Sequence, residues 1–170
     1  MKTMLPFAAL LALSALLAIA VPRQAHAKGK PAAGTTPAGP AFQKVTRSAE
    51  DWRKRLSPEQ FHVLREEGTE IAFTGAYWNE HRKGSFVCAG CGLPLFGSDT
   101  KFDSGTGWPS FWRPAFKNYA AEQHDTTFGM ERVAVACARC GGHLGHVFDD
   151  GPQPTGLRYC MNGLALTFDE

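Results

Sequence analysis

The sequence predicts a mainly β protein, with a small antiparallel β core and short helices at its N-terminal side. From residue 71 onward, short segments with strand-like composition alternate with turns rich in Gly and Pro, and none is long enough for a helix. Helix-capping signals occur only before residue 68. Four of the five cysteines form two Cys-x-x-Cys pairs, a spacing that suits a metal site.

Residues 1–27 have the organisation of a secretory signal. Lys2 precedes an apolar run over residues 5–21, and Ala25-His26-Ala27 follows as a small-residue cleavage site. We expect cleavage near Ala27 and an exported protein, periplasmic or secreted. An uncleaved anchor is an alternative because the run nearly reaches spanning length, and a core helix is another.

Residues 28–45 are rich in Ala, Gly, Pro and Thr, which predicts a flexible linker. Residues 46–170 have the size of one domain. The whole chain has 18 basic and 16 acidic residues, and removing Lys2 and Arg23 leaves an equal number of each. A nucleic-acid partner is therefore not expected, since such binders carry a basic excess. We expect a monomer.

Two helix starts are marked by serines. Ser48 can cap a helix that contains Trp52, and Ser57 precedes Pro58 and a capping-box Gln60, with Gly68 as the stop. The strands that follow are predicted at residues 71–78, 85–87, 132–136, 143–148, 157–161 and 164–168.

The paired cysteines predict one structural zinc ion per chain. Both pairs are followed by Gly, which allows a tight turn with backbone N–H groups aimed at the sulfurs. In an exported protein the same residues could instead form disulfides, and Cys-x-x-Cys is also a redox motif. The four candidate ligands are Cys88, Cys91, Cys137 and Cys140.

Cys160 is the cysteine left over and a candidate nucleophile. In a strand, Arg158, Cys160 and Asn162 would share a face, where the guanidinium favours the thiolate and the amide can bind it or a substrate. His143 and His146 are candidate acids; their odd spacing places them on opposite faces unless Gly145 introduces a bulge or a turn. The alternatives are an inert buried thiol, a surface arginine, and histidines that bind zinc or pack in the core.

Residues 101–112 contain two glycines, a proline and four aromatic side chains, which predicts an ordered loop that presents rings. Trp108, between Gly107 and Pro109, is a candidate apolar wall of a binding site. For an isolated tryptophan, simple packing in the core is the usual alternative. Asp149 and Asp150 are expected turn residues, and Asp150 can orient Arg158.

Taken together, these motifs closely resemble the methionine-R-sulfoxide reductases, the B type of methionine sulfoxide reductase. The resemblance spans roughly residues 48–168, and its separated motifs occur in the family's order. They are the paired cysteines, Ser104-Gly-Thr-Gly-Trp-Pro-Ser-Phe111, Gly142-His-Leu-Gly-His-Val-Phe148, Asp150-Gly-Pro and Arg158-Tyr-Cys-Met-Asn162.

The resemblance implies two antiparallel sheets, a structural zinc held by the four paired cysteines, and reduction of the R epimer of methionine sulfoxide, free or in proteins. It assigns Cys160 as the nucleophile and Trp108 as the residue that receives the substrate methyl group, with Phe148 helping to close the pocket. It also implies that the active-site histidines are His143 and His146 and that the nucleophile is flanked by Arg158 and Asn162.

The chemistry of these residues agrees with that activity. A thiolate attacks the sulfoxide sulfur while a histidine, for which we favour His146, protonates the oxygen, and the cysteine emerges as a sulfenic acid. Many relatives carry a resolving cysteine in the loop before Gly-Trp-Pro-Ser-Phe, where this chain has Thr106. We therefore expect an external thiol, such as a thioredoxin-like protein, to reduce Cys160 directly.

Two other functions use part of the same residues. A zinc-ribbon binding module would explain the four paired cysteines, but it leaves Cys160, Trp108 and the histidines without a role. A different thiol enzyme, such as a peroxidase, would use Cys160 on another oxidant. Loss of turnover in Cys160→Ser separates an enzyme from a binding module, and comparison with hydrogen peroxide as substrate separates the two enzymes.

Overall fold

The computed structural model describes residues 36–126, 129 and 131–170. The predicted signal at residues 1–27 and the first part of the predicted linker, residues 28–35, lie outside this range. Helix α1 spans Ala49–Arg53 and is capped by Ser48; α2 spans Pro58–Glu66 and has the predicted capping box between Ser57 and Gln60. Among the described residues no helix has the length and apolarity that crossing a bilayer requires.

Nine strands in the described part of the chain form two antiparallel sheets, which confirms the predicted fold class. The strand bounds are β1 Ser85–Cys88, β2 Pro94–Gly97, β3 Lys101–Phe102, β4 Ser110–Phe111, β5 Ala120–Asp125, β6 Arg132–Cys137, β7 His143–Phe148, β8 Arg158–Met161 and β9 Leu166–Asp169. The smaller sheet has the order β2-β1-β9 and the larger has the order β3-β4-β8-β7-β6-β5.

Aromatic side chains from both sheets form the centre of the core. Phe86 and Phe96 come from the smaller sheet, and both rings contact Phe111 of the larger sheet, with centroids 5.0 and 4.4 Å away. All three side chains are fully buried. Because β4 carries Phe111 into this core, its other residue, Ser110, faces the opposite side of the sheet.

Three details of the sequence prediction were wrong. Residues 71–78 form turns instead of a strand, since Phe73 and Tyr77 have left-handed φ angles of 65° and 73° that break an extended chain. The left-handed residue that caps the C-terminus of helix α2 is Glu67, and the predicted stop, Gly68, follows it. Strands β2, β3, β4 and β5 were not predicted.

The described end of the predicted linker lies against the domain. Residues 36–48 contain no helix or strand, but Val45 N–H donates to the Arg139 carbonyl at 2.8 Å and the Phe42 ring packs edge-on against Tyr119 at 5.3 Å. Gly39 N–H also donates to the Asn118 side chain. This part of the segment, residues 36–45, is therefore held by specific contacts with the domain.

Candidate active site

Cys160 lies on β8, a central strand of the larger sheet. In the strand register it is directly opposite Ser110 of β4 on one side and His146 of β7 on the other. Directly opposed residues of antiparallel strands present their side chains on the same face. The pairing of three strands thus brings a thiol, a hydroxyl and an imidazole together from positions far apart in sequence.

A cavity of about 150 Å³ opens on this face. Trp108 and Phe148 supply its aromatic lining, and Cys160 and His146 supply its reactive groups. Trp108 is partly exposed, so it forms a wall of the cavity and is not only core packing. The other lining residues are Thr69, Arg132, Gly145, Met161 and Asn162.

A β-bulge resolves the odd spacing of the two histidines. The register between β6 and β7 shifts between Val135 and Ala136, so that Ala136 pairs with His143 and Val135 with Gly145. The two imidazole rings therefore approach to 5.4 Å between centroids. Gly145, at φ 153°, passes so close to the Cys160 carbonyl that a Cβ there would lie 2.2 Å from its oxygen.

The two histidines nevertheless differ in environment. His143 is 7% exposed, and burial is the main cause that lowers its pKa, with His146 adding to the effect. His143 lines a neighbouring cavity and not the one that contains Cys160, and its Nε2 has no hydrogen-bond partner. His146 lines both cavities. The structure thus favours His146 as the group that meets a substrate.

Asp125, a residue not predicted from sequence, holds His146. Its Oδ2 lies 2.8 Å from His146 Nε2 and 2.8 Å from Arg132 Nη2. A carboxylate can only accept, so Nε2 donates and Nδ1 is the nitrogen left to exchange protons. A nucleophile, an imidazole and a carboxylate that orients the imidazole recur in many thiol and hydroxyl enzymes.

Arg158 lies two residues before Cys160 on β8. The Asp150 carboxylate fixes the Arg158 guanidinium group. Two parallel bonds of 2.8 Å join Arg158 Nε and Nη2 to the Asp150 carboxylate, as the sequence suggested. The hydrogen bonds of this pair lower the pKa of Asp150 and raise the pKa of Arg158. The neighbouring Cys160 also raises the pKa of Arg158, by a smaller amount. The guanidinium also lies 4.4 Å over the Phe148 ring. It therefore sits beside the cavity, outside its lining.

Asn162 is held more tightly than predicted. Its Oδ1 accepts from Glu70 N–H at 2.9 Å, and its Nδ2 donates to the Leu144 carbonyl at 3.0 Å. Only the second N–H of the amide remains to contact a thiolate or substrate.

The Glu70 backbone also fixes Trp108, whose indole Nε1 donates to the Glu70 carbonyl at 3.1 Å. The Glu70 carboxylate itself accepts from the backbone N–H groups of Gly163 and Leu164 at 2.6 and 2.8 Å. Burial is the main cause that raises the pKa of Glu70. This residue was not predicted from the sequence. It links Trp108 to the end of β8 after Cys160.

The hydroxyl groups of Ser110, Ser104 and Thr106 contact one another in turn, and the last of them contacts the sulfur of Cys160. Ser104 Oγ lies 2.7 Å from Ser110 Oγ and 2.8 Å from Thr106 Oγ1, and Thr106 Oγ1 lies 3.8 Å from Cys160 Sγ. Thr106 occupies the loop position at which many members of the family that the sequence resembles carry a resolving cysteine. Its contact distance means that a cysteine there would be within reach of Cys160.

The four paired cysteines converge on one point, as predicted. All four sulfurs lie within 4.8 Å of one another, with 3.7 Å between Cys88 and Cys140 and 3.6 Å between Cys91 and Cys137. A disulfide requires ~2.05 Å, and none of these cysteines is bonded to another. A tetrahedral Zn–S length of ~2.3 Å implies ~3.8 Å between sulfurs, so the cluster fits a metal.

Comparison with known proteins agrees with this geometry. Residues 56–170 match the SelR domain. A protein of Leptospira interrogans is 55% identical over 127 residues, which cover 75% of this chain and 97% of that protein. Proteins of Agrobacterium fabrum and Bradyrhizobium diazoefficiens are each 58% identical over 126 residues, 74% of this chain and 93% and 91% of theirs.

All three relatives are named peptide methionine sulfoxide reductase MsrB. Each is matched along nearly its whole length, and the SelR match at residues 56–170 includes the cavity residues and the cysteine cluster. The chain belongs to the family of methionine-R-sulfoxide reductases.

Proposed function

We propose that this protein reduces the R epimer of methionine sulfoxide to methionine, with Cys160 as the nucleophile. The observation that carries the proposal is that Cys160 and His146, which are paired across β8 and β7, line one small cavity together with Trp108. The cavity offers aromatic surface for the methyl group of the sulfoxide and a thiol with a neighbouring proton donor for its polar end.

The reaction transfers one oxygen atom and two electrons. The Cys160 thiolate attacks the sulfoxide sulfur, and a proton from His146 converts the sulfoxide oxygen into a hydroxyl group on the adduct. The hydroxyl group is then transferred to the Cys160 sulfur while the bond between the two sulfurs and the S–O bond of the substrate break. Cys160 is thereby oxidised to a sulfenic acid, and the substrate leaves as the reduced thioether. Asp125 keeps the imidazole oriented, and Arg158 stabilises negative charge on the cysteine sulfur.

The sulfenic acid is then reduced by an external thiol, such as that of a thioredoxin-like protein. The attacking thiol forms a mixed disulfide with Cys160 and releases water, and a second thiol of the reductant restores the cysteine. The four other cysteines lie together in the cysteine cluster. The loop residue beside Cys160 is Thr106, which has no thiol that could form an internal disulfide.

Mass spectrometry tests this step. After one equivalent of sulfoxide without reductant, Cys160 should be trapped by dimedone, a sulfenic acid reagent, and no internal disulfide should form. Thr106→Cys is the matched control, because its sulfur would replace an oxygen 3.8 Å from Cys160 Sγ; this variant should form a disulfide instead. An internal disulfide of Cys160 in the unaltered chain would disprove direct reduction.

We further propose that the cysteine cluster binds one structural zinc ion. Held by Cys88, Cys91, Cys137 and Cys140, zinc would crosslink the two Cys-x-x-Cys turns. Arg65 Nη1 donates to the Cys140 carbonyl at 3.0 Å, so α2 would be anchored to the same site. Elemental analysis should give about one zinc per chain; two disulfides without metal would overturn the assignment.

The activity test uses separated R and S sulfoxides of N-acetylmethionine with dithiothreitol as reductant. We expect turnover of the R epimer alone, and loss of turnover in Cys160→Ser with zinc content and fold retained. Hydrogen peroxide in place of sulfoxide is the control for a thiol peroxidase. No reduction of the R epimer under ample reductant would refute the proposed function.

The export signal completes the proposal. We propose that the protein acts after export, in the periplasm or outside the cell, as a monomer that repairs oxidised methionines. N-terminal sequencing of the mature protein should begin at Lys28, and fractionation should recover it outside the cytoplasm. A mature chain that retains residues 1–27 in the cytoplasmic fraction would contradict this assignment.

A further inference from the structure

The neighbouring cavity adjoins the cavity that contains Cys160. Its volume is about 430 Å³, compared with about 150 Å³ for the cavity at Cys160. Thr69, Arg132 and His146 line both of them, so the two cavities meet at these three side chains. A space near 150 Å³ suits a molecule as small as benzene. A larger substrate whose sulfoxide end lies at Cys160 therefore has the neighbouring cavity within reach.

The lining of the neighbouring cavity carries an excess of negative charge. It includes the carboxylates of Glu66, Glu67 and Asp125 and one guanidinium group, that of Arg132. With histidines counted as neutral, three negative charges and one positive charge give a formal charge of −2. Arg132 Nη2 donates to Asp125 at 2.8 Å, so this pair is neutral. The excess belongs to Glu66 and Glu67.

These two glutamates lie where a helix favours the opposite charge. Glu66 is the last residue of α2, and Glu67 caps its C-terminus with a left-handed φ of 59°. The C-terminal end of a helix carries partial negative charge, so it favours cations and disfavours carboxylates. A left-handed conformation is also uncommon for a residue other than glycine. Helix stability therefore does not explain either side chain, and residues that break a local rule are concentrated at functional sites.

A buried imidazole in the same lining lacks a hydrogen-bond partner. His143 is 7% exposed, and its Nε2 makes no hydrogen bond to the described part of the chain. Burial lowers the pKa of His143, and the nearby Glu67 carboxylate acts in the opposite direction. A neutral imidazole has one nitrogen that accepts a hydrogen bond. The unmet nitrogen and the excess negative charge both suit a positively charged hydrogen-bond donor.

We propose that the neighbouring cavity is a subsite for a lysine or arginine side chain that lies close to methionine sulfoxide in a polypeptide substrate. This inference rests on the proposed function and names its preferred substrate class: oxidised methionines with basic neighbours. The α-ammonium group of free methionine sulfoxide is another source of a cation. A basic side chain with its long stem fills more of a 430 Å³ cavity than that group does, which favours the polypeptide.

The test measures kcat/KM for the R epimer in three hexapeptides that carry lysines, glutamines or glutamates on both sides of the sulfoxide. At low salt we expect the lysine peptide to exceed the glutamate peptide about tenfold, which corresponds to ~1.4 kcal/mol, with the glutamine peptide between them. The ratio should fall toward one in about 0.5 M salt, because salt screens exposed charges. Free and N-acetylated methionine sulfoxide should differ by less than about threefold.

Glu67→Gln and Glu66→Gln should each lower the ratio of the lysine to the glutamate peptide about threefold at low salt. A structural defect alone would lower kcat/KM for both peptides equally and leave that ratio unchanged. Glu50→Gln is the matched control. It removes the same charge from α1, where the Glu50 side chain is 77% exposed and pairs with Lys54, and it should retain the ratio.

Three results would overturn the basic subsite while the reductase function stands. They are equal kcat/KM for the three peptides, a lysine preference that both cavity variants retain, and a preference for the free over the N-acetylated sulfoxide without any preference among the peptides. Failure of the unaltered chain on every substrate would instead remove the proposed function.

Discussion

Glu70→Gln should destabilise the protein, although the substitution keeps nearly the same shape. The carboxylate accepts two backbone N–H groups, from Gly163 and Leu164. Hydrogen bonds to a charged group are worth about 1.5–3 kcal/mol each and neutral ones about 1 kcal/mol. Glutamine offers one acceptor oxygen and turns an NH2 group toward the other donor, so the gross loss is about 2–5 kcal/mol.

Burial of the charge offsets part of that loss. Because burial raises the pKa of Glu70 above its ordinary value of 4.5, the folded state binds the proton more tightly than the unfolded state. The stability from this group is therefore present at acid pH and declines as pH rises above 4.5. We expect Glu70→Gln to lose about 1–2 kcal/mol of unfolding free energy at pH 7.5 and more at pH 4.5.

Urea unfolding at the two pH values measures both quantities. Glu131→Gln is the control, because the Glu131 side chain is 81% exposed and should change stability by less than about 0.5 kcal/mol. Glu70→Gln should also raise KM for the sulfoxide, since the Glu70 backbone positions Trp108 and Asn162. A variant as stable as the unaltered protein at both pH values would refute the role of these hydrogen bonds.

Three other perturbations test the active site and the metal cluster. Asp125→Asn should lower kcat at least about tenfold with little change in KM in steady-state assays, since the imidazole loses its orienting carboxylate but the cavity keeps its shape; an unchanged kcat would refute this role. His143→Phe should reduce the loss of stability between pH 7 and 5 in urea titrations, because burial lowers the pKa of His143 and its folded state resists protonation as pH falls; parallel curves for variant and parent would contradict it. Prolonged treatment with a strong zinc chelator should lower the thermal midpoint by more than about 10 °C, and re-addition of zinc should restore it, whereas an unchanged midpoint would argue against a structural metal.

Sequence patterns predicted the parts of the site that depend on local chemistry. The spacing of the cysteine pairs predicted the four-cysteine cluster. The odd spacing of His143 and His146 indicated a bulge or turn at Gly145, and the register of β6 and β7 shifts there. The capping box at Ser57 is a property of four consecutive residues, and it is present as predicted. In each case the signal that supports the prediction lies within a few consecutive residues of the sequence.

The residues that were missed act across long distances in the chain. The Glu70 N–H donates to Asn162, 92 residues away, from a segment whose strand-like composition is overruled by the left-handed Phe73 and Tyr77. Asp125 lies at the end of β5, an edge strand whose sequence, AAEQHD, lacks the β-branched residues that mark strands. Its contact with His146 exists because β5, β6 and β7 are in register, which composition does not reveal.

The register of the larger sheet also explains why its chemistry is concentrated on one face. His146 is paired with Cys160, and two residues along each strand, Phe148 is paired with Arg158. Side chains two apart on a strand share a face, so thiol, imidazole, guanidinium and aromatic ring form two adjacent rows on β7 and β8. A one-residue slip of β8 would turn Cys160 toward the core. The buried partners Tyr159 and Met161 oppose that slip, so the packing of the core between the sheets is what keeps the nucleophile in the cavity.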